Sequence, residues 1–263
     1  MNPKTNDTGA VLIIPDIHQD VGFLERILAQ EDVTQFKQVV FLGDVFDARD
    51  IDHRGPLHAA ASARIIARLS RKLGSRLQIT WGNHDVPYYV RSAMMGPDGF
   101  LPSKAVEALN TLGVRPESEP TFRAVSKEWD ERIWKHFTPF VMTQGHLLSH
   151  AGIHPSHLSQ EGPLEEQLRD LKRRWAKAIQ LMKSRFQANQ LFMPGEARGG
   201  VRKAVGGPTW QDWDLEFNDG LSFPQIVGHT SWPIMRENGS SQCIDYGQSA
   251  YGILKDGLVV RGV

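Results

Sequence analysis

Short apolar runs alternate with helical patterns in the first half of the chain. Residues 11–14, 38–42 and 77–81 have the continuous apolar character of buried strands. Apolar residues recur at helical spacing over residues 23–30, and Pro56 and Gly74 mark the ends of a second predicted helix, residues 56–73. This β-α-β-α-β order predicts a layered α/β fold in which neighbouring strands pair in parallel.

The second half combines strands with one long helix. Residues 140–150 predict a hairpin that turns near Gln144-Gly145, and further strands are expected at residues 225–227, 242–245 and 251–260. A helix over about residues 163–191 has one apolar stripe at steps of three and four residues. The stripe fits a helix packed on its own domain, a cap over a site or a dimer seam. We predict a single domain over residues 1–263 with a helical insertion at about residues 161–192.

Composition and charge exclude several classes of protein. The 263 residues include 30 basic and 30 acidic side chains, so bulk charge gives no support for nucleic acid or an anionic membrane as partner. The single cysteine, Cys243, excludes an internal disulfide bond and a cysteine-rich zinc site. No apolar stretch approaches the roughly 20 residues of a membrane span, and residues 1–9 lack the apolar core of a signal peptide. We expect a cytoplasmic protein, and its oligomeric state is left open.

Polar segments with the chemistry of metal ligands follow the apolar runs. Each segment places a carboxylate, an imidazole or an amide just after a predicted strand. The five segments are Asp16-Ile17-His18, Gly43-Asp44-Val45-Phe46-Asp47, Gly82-Asn83-His84-Asp85, Ser149-His150-Ala151-Gly152 and Gly228-His229-Thr230. Oxygen and nitrogen ligands without sulfur suit divalent cations such as Mn, Fe or Zn. A single Asp or His after a strand is most often a turn or helix cap, so the prediction depends on the whole set.

The order of the segments predicts that they meet at one edge of a sheet. The carboxyl ends of parallel strands cluster, and open α/β sheets bind their ligands there. Asp44 could bridge two cations with its two carboxylate oxygens. Two ions about 3.5–4 Å apart can clamp a phosphoryl group and ionise a bridging water. We therefore predict a metal centre built from Asp16, His18, Asp44, Asn83, His150 and His229.

The same segments resemble the calcineurin-like metallophosphoesterase superfamily. Within it they are most similar to the phosphoprotein phosphatase branch, which includes the symmetrical diadenosine tetraphosphatases. Further stretches carry the resemblance, and with the five segments they span Asp16 to Gly252. They are Leu147 to Pro155, Trp210 to Asp214, Asn218 to Phe223, Ile244-Asp245-Tyr246-Gly247 and Tyr251-Gly252.

The resemblance implies a fold and a role for each site residue. The fold would be an α/β (α+β) four-layer sandwich of two mixed β-sheets flanked by helices. The first metal would be held by Asp16, His18 and Asp44, and the second by Asp44, Asn83, His150 and His229. His84 would be the general acid, oriented by Asp47. Manganese is the first expectation for the two divalent ions, and Fe, Zn or Co are also compatible with these ligands.

The phosphate-binding arginines depart from the pattern of the branch. That branch has an arginine directly after the second aspartate of its second motif, where this chain has Ala48 followed by Arg49. A second arginine is expected where the chain has Gly220. We predict that Arg49 binds substrate, and that Arg198 or Arg202 of a glycine-rich loop replaces the missing second arginine.

These observations predict a two-metal phosphatase in which a metal-bound hydroxide attacks a phosphomonoester, either a phosphoprotein or a small phosphoester. The alternative is a dinucleoside polyphosphate hydrolase with the same site. A non-catalytic scaffold of this fold would be expected to lack a ligand or the acid, and here all are present. A phosphodiesterase acting on nucleic acid lacks any basic stripe to support it.

Overall fold

A computed structural model of the chain describes residues 9–96, 100–159, 161–201 and 204–263. Its strands are β1 (Val11–Ile14), β2 (Gln38–Phe41), β3 (Leu77–Thr80), β4 (Phe137–Thr138), β5 (Val141–Thr143), β6 (His146–Leu148), β7 (Gln225–Val227), β8 (Arg236–Asn238), β9 (Ser241–Cys243), β10 (Ala250–Leu254) and β11 (Leu258–Gly262). Its helices are α1 (Val21–Gln30), α2 (Pro56–Leu73), α3 (Asp85–Met94), α4 (Ser103–Asn110), α5 (Glu119–Glu128), α6 (Glu131–Trp134) and α7 (Leu164–Arg185).

The strands form two mixed sheets. The first sheet has the order β11-β10-β1-β2-β3-β4, in which β1 to β4 are parallel and β10 and β11 are antiparallel to their neighbours. The second has the order β5-β6-β7-β9-β8, with β6, β7 and β9 parallel. Two mixed sheets flanked by helices confirm the expected fold class.

The apolar runs are continuous because the central strands are buried on both faces. In β1, Leu12 and Ile14 join the larger core together with helix residues, whereas Val11 and Ile13 join a second core. That second core also contains Leu148 of β6, so it lies between the two sheets. A strand covered on both faces needs apolar residues at every position, which explains the pattern in the sequence.

The long helix α7 packs on the rest of the chain. Leu168, Leu171, Trp175 and Met182 are buried in the larger core, and the helix runs beside α3. The stripe is therefore the face of a helix packed on its own domain. The helix ends at Arg185, earlier than the pattern predicts, because Phe186 adopts a left-handed backbone with φ of 56°. A residue in that conformation ends the run of helical hydrogen bonds.

The connection between β3 and β4 holds four helices that were not predicted from the sequence. Helices α3, α4, α5 and α6 are between 4 and 10 residues long, so each offers few turns on which an apolar stripe can be recognised. Helix α5 packs against α2, which has the bounds predicted for it. Among the described residues, no helix combines the length and the apolar character needed to cross a membrane.

Candidate metal centre

The carboxyl ends of the strands bring the predicted metal ligands together. Ile14 of β1 pairs with Phe41 of β2, and Phe41 pairs with Ile79 of β3, so the three parallel strands end close to one level. The ligands follow these ends and those of β6 and β7. All six are buried, namely Asp16, His18, Asp44, Asn83, His150 and His229.

Potential ligand atoms form two groups that share one carboxylate. Asp44 lies within 4.8 Å of His18 and His84 in the first group, and within the same distance of His150 and His229 in the second. A carboxylate that belongs to both groups has the position required of a bridging ligand.

His18 presents an unpaired nitrogen to the first group. Its Nδ1 lies 2.8 Å from the carbonyl oxygen of Asp47, which can only accept, so Nδ1 carries the proton. The buried Nε2 has no hydrogen-bond partner among the residues that the structure describes, and it lies 3.5 Å from Asp44 Oδ2 and 3.7 Å from Asp16 Oδ2. A backbone carbonyl that fixes the tautomer and turns the other nitrogen inward is the usual arrangement behind a metal-binding imidazole.

His150 is held in the same way in the second group. Its Nδ1 lies 2.8 Å from the carbonyl oxygen of Leu42, and its Nε2 lies 2.9 Å from Asn83 Oδ1 and 3.0 Å from His229 Nδ1. With the amide oxygen inward, lone pairs converge on one point, as a cation requires. If the amide of Asn83 is turned over, its nitrogen donates to both histidines instead.

The backbone at the centre is held in an uncommon conformation. His18, Asp44, Asp47 and His229 have φ values of 47°, 48°, 61° and 68°, in the left-handed region that non-glycine residues seldom adopt. Such strain persists only where the surroundings enforce it, and it concentrates at functional sites. The turns after β1, β2 and β7 thus aim their side chains at the centre at a conformational cost.

Two glycines allow the carboxylates to approach the main chain. A Cβ on Gly82 would overlap Oδ1 of Asp44, and a Cβ on Gly228 would overlap Oδ1 of Asp16. The residue before Asn83 and the residue before His229 must therefore lack a side chain. This contact explains why a glycine precedes each of these two ligands in the sequence.

Asp85 ties together the turns that carry the ligands. Its buried carboxylate accepts hydrogen bonds from the backbone N–H groups of Asp44 at 2.8 Å, Val45 at 3.0 Å and Gly82 at 3.1 Å. The sequence analysis assigned it no role. An acidic residue in the first turn of a helix suggests only a favourable charge at the helix end, and gives no sign of a long-range contact.

His84 is oriented by a carboxylate that is itself firmly held. The Nδ1 atom of His84 lies 3.0 Å from Oδ2 of Asp47. The other oxygen of Asp47 accepts from the hydroxyl of Tyr88 at 2.6 Å and from the backbone N–H of Glu117 at 2.8 Å. The imidazole of His84 is 25% exposed, so a ligand can reach it. The predicted pair is therefore present, and Tyr88 and Glu117 are additional members that no motif indicated.

The surroundings shift the pKa values of two histidines at the centre in opposite directions. Burial lowers the pKa of His84, but the charge of Asp44 and the hydrogen bond with Asp47 outweigh it and raise the pKa to about 9. Cations bound at Asp44 would act against this rise. Burial holds the pKa of His229 well below its usual value, and His150 adds to the effect. His229 is therefore neutral, which is the form that binds metal.

Two of the predicted arginines border the centre, each beside a different group of ligands. Arg49 donates to Asp16 at 3.1 Å and pairs with both oxygens of Asp245 at 3.1 and 2.7 Å. Arg198 donates to Thr230, next to His229, at 2.8 Å, and its Nε lies 2.9 Å from Asp212. Arg202 lies outside the described residues.

Replacing Asp85 tests its role in the fold. In Asp85→Asn, the amide oxygen can still accept, but the amide NH₂ replaces the other carboxylate oxygen and leaves at least one of the three backbone N–H groups without its acceptor. We expect the free energy of unfolding to fall by about 1–3 kcal/mol, measured by urea denaturation. Asp214 is a control, because its carboxylate is exposed and pairs with Arg236. Asp214→Asn should change stability by less than about 0.5 kcal/mol. Wild-type stability in Asp85→Asn would contradict the role.

Comparison with solved structures identifies similar folds. The cold-active protein-tyrosine phosphatase of a psychrophilic Shewanella species is 15% identical, with a TM-score of 0.55 over 96% of this chain and 77% of that chain. A protein serine/threonine phosphatase from Saccharomyces cerevisiae, with similarity to human phosphatase PP5, is 12% identical, with a TM-score of 0.48 over 99% and 81%. The similarity to the Shewanella phosphatase shows a shared fold alone, because the identity is low.

Sequence comparison supplies the family. No curated protein matches the chain. The sequence profile of the calcineurin-like phosphoesterases matches residues 9–233, which is most of the chain and includes all six predicted metal ligands. The chain therefore belongs to the calcineurin-like phosphoesterase family and is a metal-dependent hydrolase of phosphoric ester bonds.

Proposed function

We propose that this hydrolase is a two-metal phosphatase acting on phosphomonoesters. The observation that carries the proposal is the pair of ligand groups that share Asp44, the first of which includes His84, the partner of Asp47. One shared carboxylate between two groups of ligands fits two cations close together. The neighbouring imidazole supplies a proton donor within the same site.

The donor set fits two divalent cations. Asp16, His18 and Asp44 would hold the first, and Asp44, Asn83, His150 and His229 the second. When bound, such ions activate a water molecule as the nucleophile and offset negative charge on the phosphoryl oxygens. The unpaired Nε2 of His18 and the converging lone pairs around His150 support this assignment. Manganese is our first candidate, and iron, zinc and cobalt suit the same ligands.

His84 is our candidate for the general acid. Asp47 accepts a hydrogen bond from Nδ1–H of the imidazole. The other nitrogen, Nε2, can then carry the proton that is given to the leaving oxygen. Tyr88 and Glu117 fix the carboxylate of Asp47, so the imidazole keeps one orientation. The ester oxygen leaves as an alcohol once it has received this proton.

Arginines on two sides would bind the non-bridging oxygens of the phosphoryl group. A guanidinium can donate to two oxygens in a fixed planar geometry, which an ammonium group lacks. Arg49 stands beside Asp16, and Arg198 stands beside Thr230. Arg202 is retained as a candidate on its sequence position in the same loop as Arg198.

The arrangement of the arginines also favours a second candidate function. Neither Arg49 nor Arg198 stands where the phosphoprotein phosphatase branch has its arginines, since Ala48 and Gly220 occupy those positions. A changed phosphate clasp is compatible with a dinucleoside polyphosphate as substrate, cleaved by the same metal centre. A non-catalytic scaffold is less well supported, because the chain contains all the expected ligands and His84. We further propose a single domain, including the insertion at about residues 161–192, and a cytoplasmic location.

A substrate panel tests the proposal. The Mn-loaded protein is assayed side by side with a phosphopeptide, an aryl phosphate, a mononucleotide, diadenosine tetraphosphate and a bis-aryl phosphodiester. We expect the monoesters to be hydrolysed fastest, because two arginines and two cations match a phosphoryl dianion. Faster cleavage of diadenosine tetraphosphate would favour the second candidate. A preference for the diester would contradict both.

Replacing Asp44 tests the two-metal centre. Elemental analysis of the active protein should find two divalent ions per chain. Asp44→Asn should lower the affinity of both sites, because the substitution removes the charge that the two groups share. The control Asp214→Asn should keep both ions. One ion per chain in fully active protein would contradict the proposal.

Replacing His84 tests the general acid. We expect His84→Asn to lower kcat by about 10²- to 10⁴-fold for alkyl phosphates, because their leaving oxygen needs a proton. The loss should be smaller for p-nitrophenyl phosphate, whose leaving group is stable as an anion. The metal content should be unchanged. His146→Asn is a control, since His146 hydrogen-bonds only within its own hairpin turn among the described residues. Equal losses for both substrates would count against the role.

A further inference from the structure

An ion pair at the rim of the centre joins the two sheets. Asp245 follows β9 of the second sheet, and Arg49 lies in the segment after β2 of the first. The two Nη atoms of Arg49 donate to the two oxygens of Asp245 at 3.1 and 2.7 Å. The side chain of Asp245 is fully buried, whereas that of Arg49 is 31% exposed. The guanidinium of Arg49 is therefore held by a buried carboxylate, while part of the side chain remains exposed to solvent.

Hydrogen bonds fix both members of the pair. Oδ1 of Asp245 also accepts from the backbone N–H of Gly247 at 3.1 Å, which limits the rotation of the carboxylate. Nη2 of Arg49 donates in addition to Oδ2 of Asp16 at 3.1 Å. Three N–H groups of the guanidinium are thus occupied. Among the described residues none accepts from its Nε, which remains available with the second hydrogen of Nη1.

Anchoring matters because a free arginine has many rotamers. A long side chain that is ordered only when ligand arrives weakens binding by the conformational entropy it loses. The bidentate contact with Asp245 removes that freedom beforehand. It also explains how an arginine one position later than the family pattern can still face the centre, since a carboxylate 196 residues away directs it.

We propose that Asp245 is a positioning residue, which holds the guanidinium of Arg49 at the metal centre so that one of its remaining N–H donors can bind a phosphoryl oxygen. This inference rests on the proposed function, in which Arg49 binds substrate. It assigns to Asp245 a part in phosphate affinity, exerted through Arg49, and no contact with the reacting atoms.

The rival explanation is purely structural, because the same pair could serve only to hold the sheets together. The two explanations differ in what else changes when Asp245 is lost. A positioning residue affects phosphate binding while metal content and kcat are kept, whereas a pair that only holds the sheets affects phosphate binding by disturbing the metal centre, so that metal content or kcat falls with it. A double-mutant cycle then tests whether the effect of Asp245 passes through Arg49.

The cycle uses Asp245→Asn, Arg49→Ala and the double variant, all loaded with Mn. For each we measure kcat and KM with p-nitrophenyl phosphate, and the Kd of inorganic phosphate by calorimetry. We expect Asp245→Asn to raise KM and Kd about 10-fold while kcat changes less than about threefold. The double variant should match Arg49→Ala within about twofold. Arg49→Lys should resemble Arg49→Ala, since one ammonium cannot make the bidentate contact.

Two controls exclude indirect effects. Asp214→Asn breaks an exposed carboxylate–arginine pair at Arg236 and should leave KM, Kd and kcat unchanged. Metal content and melting temperature are measured for every variant. Loss of metal in Asp245→Asn would overturn the proposal, because Asp245 would then act on the metal centre through Asp16. Additive effects of Asp245→Asn and Arg49→Ala on Kd, or an unchanged Kd in Asp245→Asn, would also overturn it.

The phosphate measurement keeps this test separate from that of the proposed function. Inorganic phosphate carries the group that Arg49 would bind, whichever ester the protein hydrolyses. If the wild-type protein prefers a diester, the proposed function fails, and the cycle on Kd still decides the role of Asp245. If wild-type protein binds no phosphate, the positioning role fails as well.

Discussion

The carboxylate of Asp85 is the contact on which the metal centre depends. It accepts hydrogen bonds from the backbone N–H groups of Asp44, Val45 and Gly82, and so fixes the distance between the turn after β2 and the turn after β3. The first turn contains strained backbone at Asp44. The second contains Gly82, which leaves space for the carboxylate of Asp44. Without a buried acceptor for three donors, the turns would have to relax, because unpaired buried N–H groups are costly. Ligand geometry therefore depends on a residue that is itself no ligand in our assignment.

A second principle is that each functional side chain is held by a partner behind it. A backbone carbonyl holds His18 and another holds His150. Asp47 holds His84 in the same manner, and Asp245 holds Arg49. Charged and lone-pair-bearing groups that repel one another can converge only if such partners prevent them from turning away. The cations that would offset this repulsion then bind to a site that is already arranged.

Sequence patterns predicted most of the strands and the candidate ligands because both are local. The apolar residues of β1 or β2 are consecutive, and each ligand directly follows a strand, so position along the chain predicts position in space. The partners behind the ligands could not be found in this way. Asp85 contacts a residue 41 positions away, and Asp245 contacts one 196 positions away. Such pairs leave no periodic signal, and neither does the left-handed backbone at Phe186 that shortens α7.

The only cysteine lies directly beneath one of these turns. Cys243 in β9 is buried, pairs with Val227 of β7, and its thiol donates to the carbonyl oxygen of Gly228 at 3.3 Å. Burial raises the pKa of the thiol to about 12, so it is neither ionised nor accessible in the folded protein. A thiol reagent can react only when β7 and β9 separate. Cys243 therefore reports local opening next to His229. The rate at which a thiol reagent labels it measures how often β7 and β9 separate.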